Sequence, residues 1–253
     1  MRACMIFLGK ELREHIRSYR LPVLAVVFII FGMMSPAAAR YMPELLKAFG
    51  NGIVLNLPPV SFTDSYLQFF KNLSSMGDII LLLVFAGTVA AEKAKGSAPL
   101  ILTKSLSRAS FVLAKFLGAA LVWTAVYLAG ALVCQLYTIW LFPGSHADNL
   151  LAAFAAYWLY GLLLLSFTTL ASSIAKSQGM AALGAFAGWG LLLVSMIPAG
   201  AAKVSPAALS SVNLQVILGA VPAGNLLVPA LLAVGLIGVS LGLAVCAMAR
   251  QEL

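Results

Sequence analysis

Apolar residues fall into six long runs that are separated by shorter polar segments. The runs cover residues 21–39, 75–91, 111–141, 150–175, 179–200 and 224–249. A helix that rises about 1.5 Å per residue needs roughly 20 residues to cross about 30 Å of hydrocarbon, which is the scale of these runs. The pattern predicts an all-α integral membrane protein with six transmembrane helices in a single domain over residues 1–253. The start of the second helix is the least defined, because its uninterrupted apolar part covers only 79–91.

The segment before the first run is amphipathic. Apolar residues recur there at helical spacing, as Leu8, Leu12, Ile16 and Tyr19, and four cations follow on an adjoining face: Lys10, Arg13, Arg17 and Arg20. This arrangement favours an interfacial helix over residues 1–20, with its apolar side at the headgroup boundary and its cations toward anionic lipid. Pro22 suits a turn into the first span. The alternative is a basic flank that only sets the topology.

The distribution of Lys and Arg predicts the orientation in the membrane. Twelve of the sixteen lie before the first run, after the sixth, or around the second-to-third and fourth-to-fifth connections. Cytoplasmic segments carry the excess of these residues, so both termini and the second-to-third connection are expected in the cytoplasm. The rival interpretation is a signal peptide cleaved after the small residues Ala37 and Ala39, which would require a different topology.

The composition supports a membrane protein and disfavours several other classes. The chain is 62% apolar and 9% charged, far from the balance of a soluble domain. Its formal charge of +8 sits between the apolar runs, which indicates topology signals and no nucleic-acid partner. The cysteines Cys4, Cys134 and Cys246 form no C-x-x-C pair, and the chain has only two histidines, so no metal centre is predicted.

Groups for catalysis or energy conversion are not evident in the sequence. The charged residues Asp78, Glu92, Lys115 and Lys176 all fall near the ends of the runs, which disfavours a proton-coupled or ion-coupled carrier. No G-x-S-x-G motif occurs, and the only Gly-Lys pair lacks the flanking residues of a phosphate-binding loop. We therefore expect no catalytic residue, metal or cofactor on this chain. Any transport against a concentration gradient must therefore draw its energy from a partner protein.

Two further segments contain helix breakers. Residues 40–74 include Pro43, an Asn-Gly pair and a Pro-Pro pair, and are expected to form a small external cap. Residues 201–223 mix small and apolar residues with prolines, which is too broken a pattern for another crossing. They are expected to form a re-entrant or interfacial hairpin, or else an apolar surface loop.

The connection between the second and third runs has the pattern of a docking element. It reads E-K-A-K-G-S-A-P-L-I-L-T-K-S-L-S-R-A-S over residues 92–110. Gly96 permits a sharp reversal, Ser97 can cap a helix, and Pro99 suits its first turn. Leu100 then belongs to a short apolar surface, and cations surround it: Lys93, Lys95, Lys104 and Arg108. Such a knob fits a groove on another protein. The alternative is a solvated basic loop.

Several motifs follow one another over the first 120 residues. They are K-E-L-R-E at 10–14, S-P at 35–36, Y-M-P-E at 41–44, D-S-Y-L-Q-F-F-K-N at 64–72, E-K-A-K-G-S-A-P-L-I-L-T-K at 92–104 and S-R-A-S-F-V-L-A-K-F at 107–116. Their order and spacing resemble the type-2 ABC transporter permease family. Beyond residue 120 the resemblance rests mostly on hydropathy. Where family members often carry K-P-V-S-R, this chain has K-S-L-S-R at 104–108, without the proline.

This resemblance implies the permease subunit of an ABC exporter in a bacterial cytoplasmic (inner) membrane, forming half of the translocation pathway. The implied partners are a second protomer, identical or a sister permease, and separate ABC ATPase subunits that carry ATP and Mg. The interfacial helix corresponds to the family's connecting helix. The second-to-third connection corresponds to the cytoplasmic coupling helix, with these ATPase-coupling residues: Glu92, Lys93, Lys95, Gly96, Ser97, Pro99, Leu100, Lys104 and Arg108.

Two other functions are compatible with the sequence. A non-conducting membrane anchor or assembly factor that recruits a cytosolic partner would keep the docking connection but need no pathway between protomers. An intramembrane enzyme would be active without any nucleotide.

Overall fold

The computed structural model describes residues 2–49, 60–94, 96, 107–144, 147, 149–198 and 203–250. These residues form helices and no strand. The helices are α1 (Arg2–Arg17), α2 (Arg20–Phe49), α3 (Phe62–Asn72), α4 (Asp78–Phe85), α5 (Ala90–Ala94), α6 (Arg108–Leu141), α7 (Leu150–Ile174), α8 (Gln178–Val194), α9 (Ala208–Ser211), α10 (Asn213–Ile217) and α11 (Leu227–Arg250). A π-helical turn, Leu73–Gly77, joins α3 to α4, and a 3-10 turn, Ala223–Leu226, precedes α11.

Five segments of the described chain are long and apolar enough to cross a membrane. They are Arg20–Met42, Phe62–Ala94, Arg108–Leu141, Leu150–Ile174 and Ala223–Arg250. They correspond to the predicted first, second, third, fourth and sixth spans, so the expectation of an all-α, multi-pass membrane protein is confirmed. The predicted fifth span corresponds to α8, whose 17 residues rise only about 25 Å. A sixth crossing therefore stays a prediction.

The helix of the second span begins earlier than predicted, at Phe62. Ser61 and Asp64 form a capping box there, in which the Ser61 amide donates to Asp64 Oδ2 at 2.9 Å. The start was missed because α3 carries polar residues along one face, which lowers its mean hydropathy, while its other face packs against α2 and α6. Helices α2 and α3 both extend into the segment 40–74, to Phe49 and from Phe62, and a small external cap there stays a prediction. Residues 50–59 lie outside the described part.

Aromatic side chains fill the centre of the bundle. The Trp123 ring stacks on Tyr127 at 5.0 Å between centroids and meets Phe28 edge-on at 5.6 Å. Its Nε1 donates to the Trp158 carbonyl at 3.0 Å. The close approach of Trp123 to α7 depends on Gly161, where an added Cβ would lie 2.2 Å from Trp123 Cζ2. Trp123 is therefore a packing residue and not part of an interfacial belt.

The second span is interrupted by a turn over residues 86–89, between α4 and α5. The amides of Val89 and Ala90 both donate to Ser172 Oγ of α7, each at 3.0 Å. This side chain replaces helical carbonyl acceptors, as buried backbone requires.

The segment before α11 folds back onto α7 through the short helices α9 and α10. Ala207, Leu209 and Val216 are fully buried by this packing. The segment also has exposed apolar residues, such as Leu218 at 56%, so the re-entrant or interfacial hairpin and the apolar surface loop both stay predictions.

Candidate functional site

The N-terminal helix α1 docks on α6 along one face. Phe7, Glu11 and His15, four residues apart, form the buried face. Gly118 of α6 permits this approach, because an added Cβ would lie 3.2 Å from Glu11 Cβ and 3.5 Å from His15 Nε2. A helix is thus present where the sequence predicted one, but its protein contacts use a face that the sequence did not single out.

The apolar stripe predicted to meet the membrane surface is only partly covered by protein. Ile16 is 55% exposed and Tyr19 is 72% exposed. Tyr19 has a left-handed backbone with φ 59°, and α1 ends before it at Arg17, so Arg20 belongs to α2. Lys10, Arg13 and Arg17 are exposed. An interfacial position for α1 stays a prediction.

A buried ion cluster ties α1 to the start of the second-to-third connection. Lys115 Nζ of α6 lies 2.7 Å from Glu11 Oε2 of α1 and 2.7 Å from Glu92 Oε1 of α5. All three residues are buried. Pairing makes such burial tolerable, since an isolated ion away from water is strongly unfavourable. We name Glu11, Lys115 and Glu92 the stem cluster.

A second lysine closes the stem cluster on its exposed side. Lys10 Nζ lies 3.5 Å from Glu92 Oε1, 3.7 Å from Glu14 Oε2 and 3.9 Å from Glu11 Oε1. The three carboxylates place an oxygen each within 4.8 Å of one another, a grouping that could otherwise attract a metal ion. Here Lys10 supplies the positive charge that this acidic group requires.

Both ends of the second-to-third connection are also fixed to the ends of other helices. Lys93 Nζ donates to the Ser173 carbonyl near the end of α7 at 2.7 Å. Arg108 donates to the carbonyls of Met248 and Ala249, near the end of α11, the second at 3.0 Å. Cations at helix C-termini satisfy terminal carbonyls and oppose the negative end of the helix dipole.

The predicted coupling residues therefore divide into two groups. Glu92, Lys93 and Arg108 anchor the connection to the bundle, and Gly96 turns it with φ +67°. The remaining predicted residues lie outside the described part: Lys95, Ser97, Pro99, Leu100 and Lys104. Their role in docking an ATPase stays a prediction.

Burial shifts the proton affinity of two groups on α1. It raises the pKa of Glu11, and the nearby Lys115 ammonium opposes this shift. Burial, together with the charges of Arg20 and Lys115, lowers the pKa of His15 to about 4. Neither ring nitrogen of His15 has a hydrogen-bond partner among the described residues. His15 is therefore neutral at pH 7, and the lysines carry the positive charge of this site.

Sequence reasoning missed Glu11, His15 and Lys115 as site residues. Lys115 was interpreted as a topology signal. The interpretation of α1 rested on its apolar stripe, which is not the face that packs against α6. The available signal was the spacing of Phe7, Glu11 and His15, which places two titratable groups on one helix face with an aromatic ring.

Asp78 lies deeper than the sequence predicted. Its Oδ1 accepts a hydrogen bond from the Tyr157 hydroxyl at 2.9 Å, and both side chains are buried. Tyr157 is the eighth residue of α7, so this pair lies about two helical turns from the start of that helix. The expectation that all charged residues sit near span ends is wrong for Asp78, because the second-span helix extends 16 residues beyond it toward Phe62.

An apolar groove of about 680 Å³ lies along α7 and α8. Small residues form part of its wall, including Ala171, Gly184 and Gly188, and Lys176 contributes to its lining. Among the described residues, the lining of this groove holds no cluster of groups suited to catalysis.

Comparison with known proteins agrees with this architecture. Residues 5–216 match the model of the family described as ABC-2 family transporter protein. The chain is also similar to an uncharacterized transmembrane protein, YxlG, of Bacillus subtilis (strain 168), with 25% identity over 185 residues and 72% coverage of each chain. Because the family match extends over most of the sequence, this chain belongs to the ABC-2 family of transporter membrane proteins.

Proposed function

We propose that this chain is the permease subunit of an ABC exporter. Two protomers, identical or sister permeases, form the translocation pathway, and separate ATPase subunits with ATP and Mg drive it. Both termini and the connection between α5 and α6 face the cytoplasm of a bacterial cell, so that this connection meets the ATPase. Six crossings, with α8 as the fifth, give that arrangement.

The anchoring of the α5–α6 connection is the observation that carries this proposal. A solvated basic loop needs no fixed ends, whereas an element that transmits force must be tied to rigid helices. Here one end is tied through Glu92 and Lys93 and the other through Arg108. Family membership indicates the class of partner, because membership of the ABC-2 family implies association with an ABC ATPase.

The test is to purify the chain from its own membranes, identify any ATP-binding subunit that co-purifies, and reconstitute both in vesicles. Lys104→Glu is expected to weaken capture of this subunit several-fold, because a reversed rim charge opposes the partner's complementary charge. Lys203→Glu, on the predicted opposite side, is the matched control and should change nothing. Arg108 is less suitable for this test, because it holds the end of α11.

Three outcomes would contradict the proposal. One is the absence of any co-purifying ATP-binding subunit. Another is unchanged capture with Lys104→Glu. In the third, the ATPase is captured, but addition of nucleotide does not change the accessibility of residues at the opposite end of the spans. The chain would then be a membrane anchor.

A further inference from the structure

We infer that the stem cluster, Glu11, Lys115 and Glu92, is the mechanical link that makes the helices α1, α5 and α6 move as one body. This inference rests on the proposed function, because it concerns how a push from the ATPase enters the permease. It makes these three residues positioning residues, and none of them needs to touch the ATPase.

The geometry of the cluster supports a rigid connection. One ammonium holds two carboxylates at 2.7 Å each, one from α1 and one from α5, and the exposed Lys10 adds a longer contact between these two helices at 3.5 Å. Charge-assisted hydrogen bonds of this length are the strong class. Moving α5 away from α6 would break the 2.7 Å contact between Glu92 and Lys115 and separate two buried opposite charges, which is strongly unfavourable.

Packing around the cluster adds to this rigidity. The ammonium of Lys115 also lies 5.8 Å from the Phe7 ring centre and 5.7 Å from that of Phe111. One turn further along α6, Gly118 brings the two helices into close contact beside His15. A displacement of α5 would therefore also displace α6, a helix of 34 residues that reaches the far end of the bundle.

The neighbouring exposed ions form a matched contrast. The Lys10–Glu14 pair has side chains 49% and 42% exposed and a separation of 3.7 Å. Exposed pairs of this kind contribute little, because water solvates both partners when they separate. Glu14→Gln breaks this exposed pair and leaves Lys10 beside Glu92, so it tests whether local charge alone accounts for the effect.

The experiment uses the permease in complex with its ATPase in vesicles. Cys4, Cys134 and Cys246 are replaced by serine, and Lys71→Cys provides a reporter at an exposed position on α3, about 30 Å along the second span from Glu92. The measurement is the rate of alkylation by a membrane-impermeant maleimide. The ratio of rates with and without ATP plus vanadate reports movement at the far end.

Glu92→Gln, which keeps the size of the side chain, is expected to reduce this ratio roughly threefold or more, with ATPase capture unchanged. Lys115→Met should do the same. The exchange Glu92→Lys with Lys115→Glu keeps two carboxylates around one ammonium and should restore the response. Glu14→Gln, the same change at the exposed pair, should leave it at the wild-type value.

Two results would overturn the inference. A wild-type response in Glu92→Gln shows that the stem cluster does not transmit movement. Failure of the exchanged pair to restore the response, when it binds the ATPase normally, shows that the charges act in another way. If the alkylation rate of the wild-type complex does not depend on nucleotide, the proposed function is contradicted, and this inference is contradicted with it.

Discussion

Gly161→Ala tests the central packing of the bundle. The added Cβ would lie 2.2 Å from Trp123 Cζ2, 2.3 Å from Cε2 and 2.7 Å from Nε1. Carbon atoms in contact are normally about 3.5–4.0 Å apart, so the ring must move by more than about 1 Å. It has little room, because Trp123 is buried among Tyr127, Phe28 and the Trp158 carbonyl.

The expected cost follows from these contacts. Overpacking of a core typically costs about 1–3 kcal/mol, and displacement of the Trp123 hydrogen bond adds about 1 kcal/mol. We expect Gly161→Ala to lower the free energy of unfolding by about 2–4 kcal/mol. The measurement is equilibrium unfolding in detergent micelles. Gly190→Ala is the control, since no atom lies within 4 Å of its added Cβ, and it should be neutral or slightly stabilising.

A second substitution makes this reasoning refutable. Trp123→Phe removes the ring atoms that clash, so Gly161→Ala should cost less in a Trp123→Phe background than in the wild type, by about 0.5–3 kcal/mol. A Gly161→Ala variant as stable as the Gly190→Ala variant would refute the packing described here. Equal costs of Gly161→Ala in the wild type and in the Trp123→Phe background would also refute it.

Three further predictions concern buried polar groups. The contribution of His15 to docking of α1 should fall by at most about 3 kcal/mol as pH falls from about 6.5 to about 4, because undocked His15 takes up a proton in this range and docked His15 does not, whereas the raised pKa of Glu11 acts in the opposite direction. The mobility of a spin label at Arg17→Cys measures this, and His15→Gln should remove that part of the pH dependence; identical curves contradict the assignment. Asp78→Leu should lower the free energy of unfolding by about 1–3 kcal/mol by leaving the Tyr157 hydroxyl without its acceptor, whereas Asp78→Asn keeps an oxygen and should cost much less. Equal costs would show that this bond is unimportant. Ser172→Ala should cost about 2–4 kcal/mol in the same unfolding assay because two buried main-chain amides lose their acceptor. The control is Thr169→Val, whose lost hydroxyl donates only within α7, and a cost no greater than that of the control would contradict this role.

Local properties of the sequence were sufficient for the class of protein and for most of its spans. Apolar length and the 1.5 Å helical rise depend only on neighbouring residues, so α6 and α7 were predicted within a few residues of their observed ends. The prediction failed at α3, where a helix is buried on one face only and its polar face reduces the hydropathy. The family was also identified from short motifs whose order is readable along the chain.

The tertiary structure decided which charged residues are buried and what they pair with. Glu92 was read as a docking residue, Lys115 as a topology signal and Glu11 as part of a motif, yet the fold brings all three to one point. No local pattern predicts this, because a buried charge is tolerated only when a partner from elsewhere in the chain lies within hydrogen-bond distance. Hydrophobic length is a sum over neighbours in sequence, whereas burial of polar groups depends on neighbours in space.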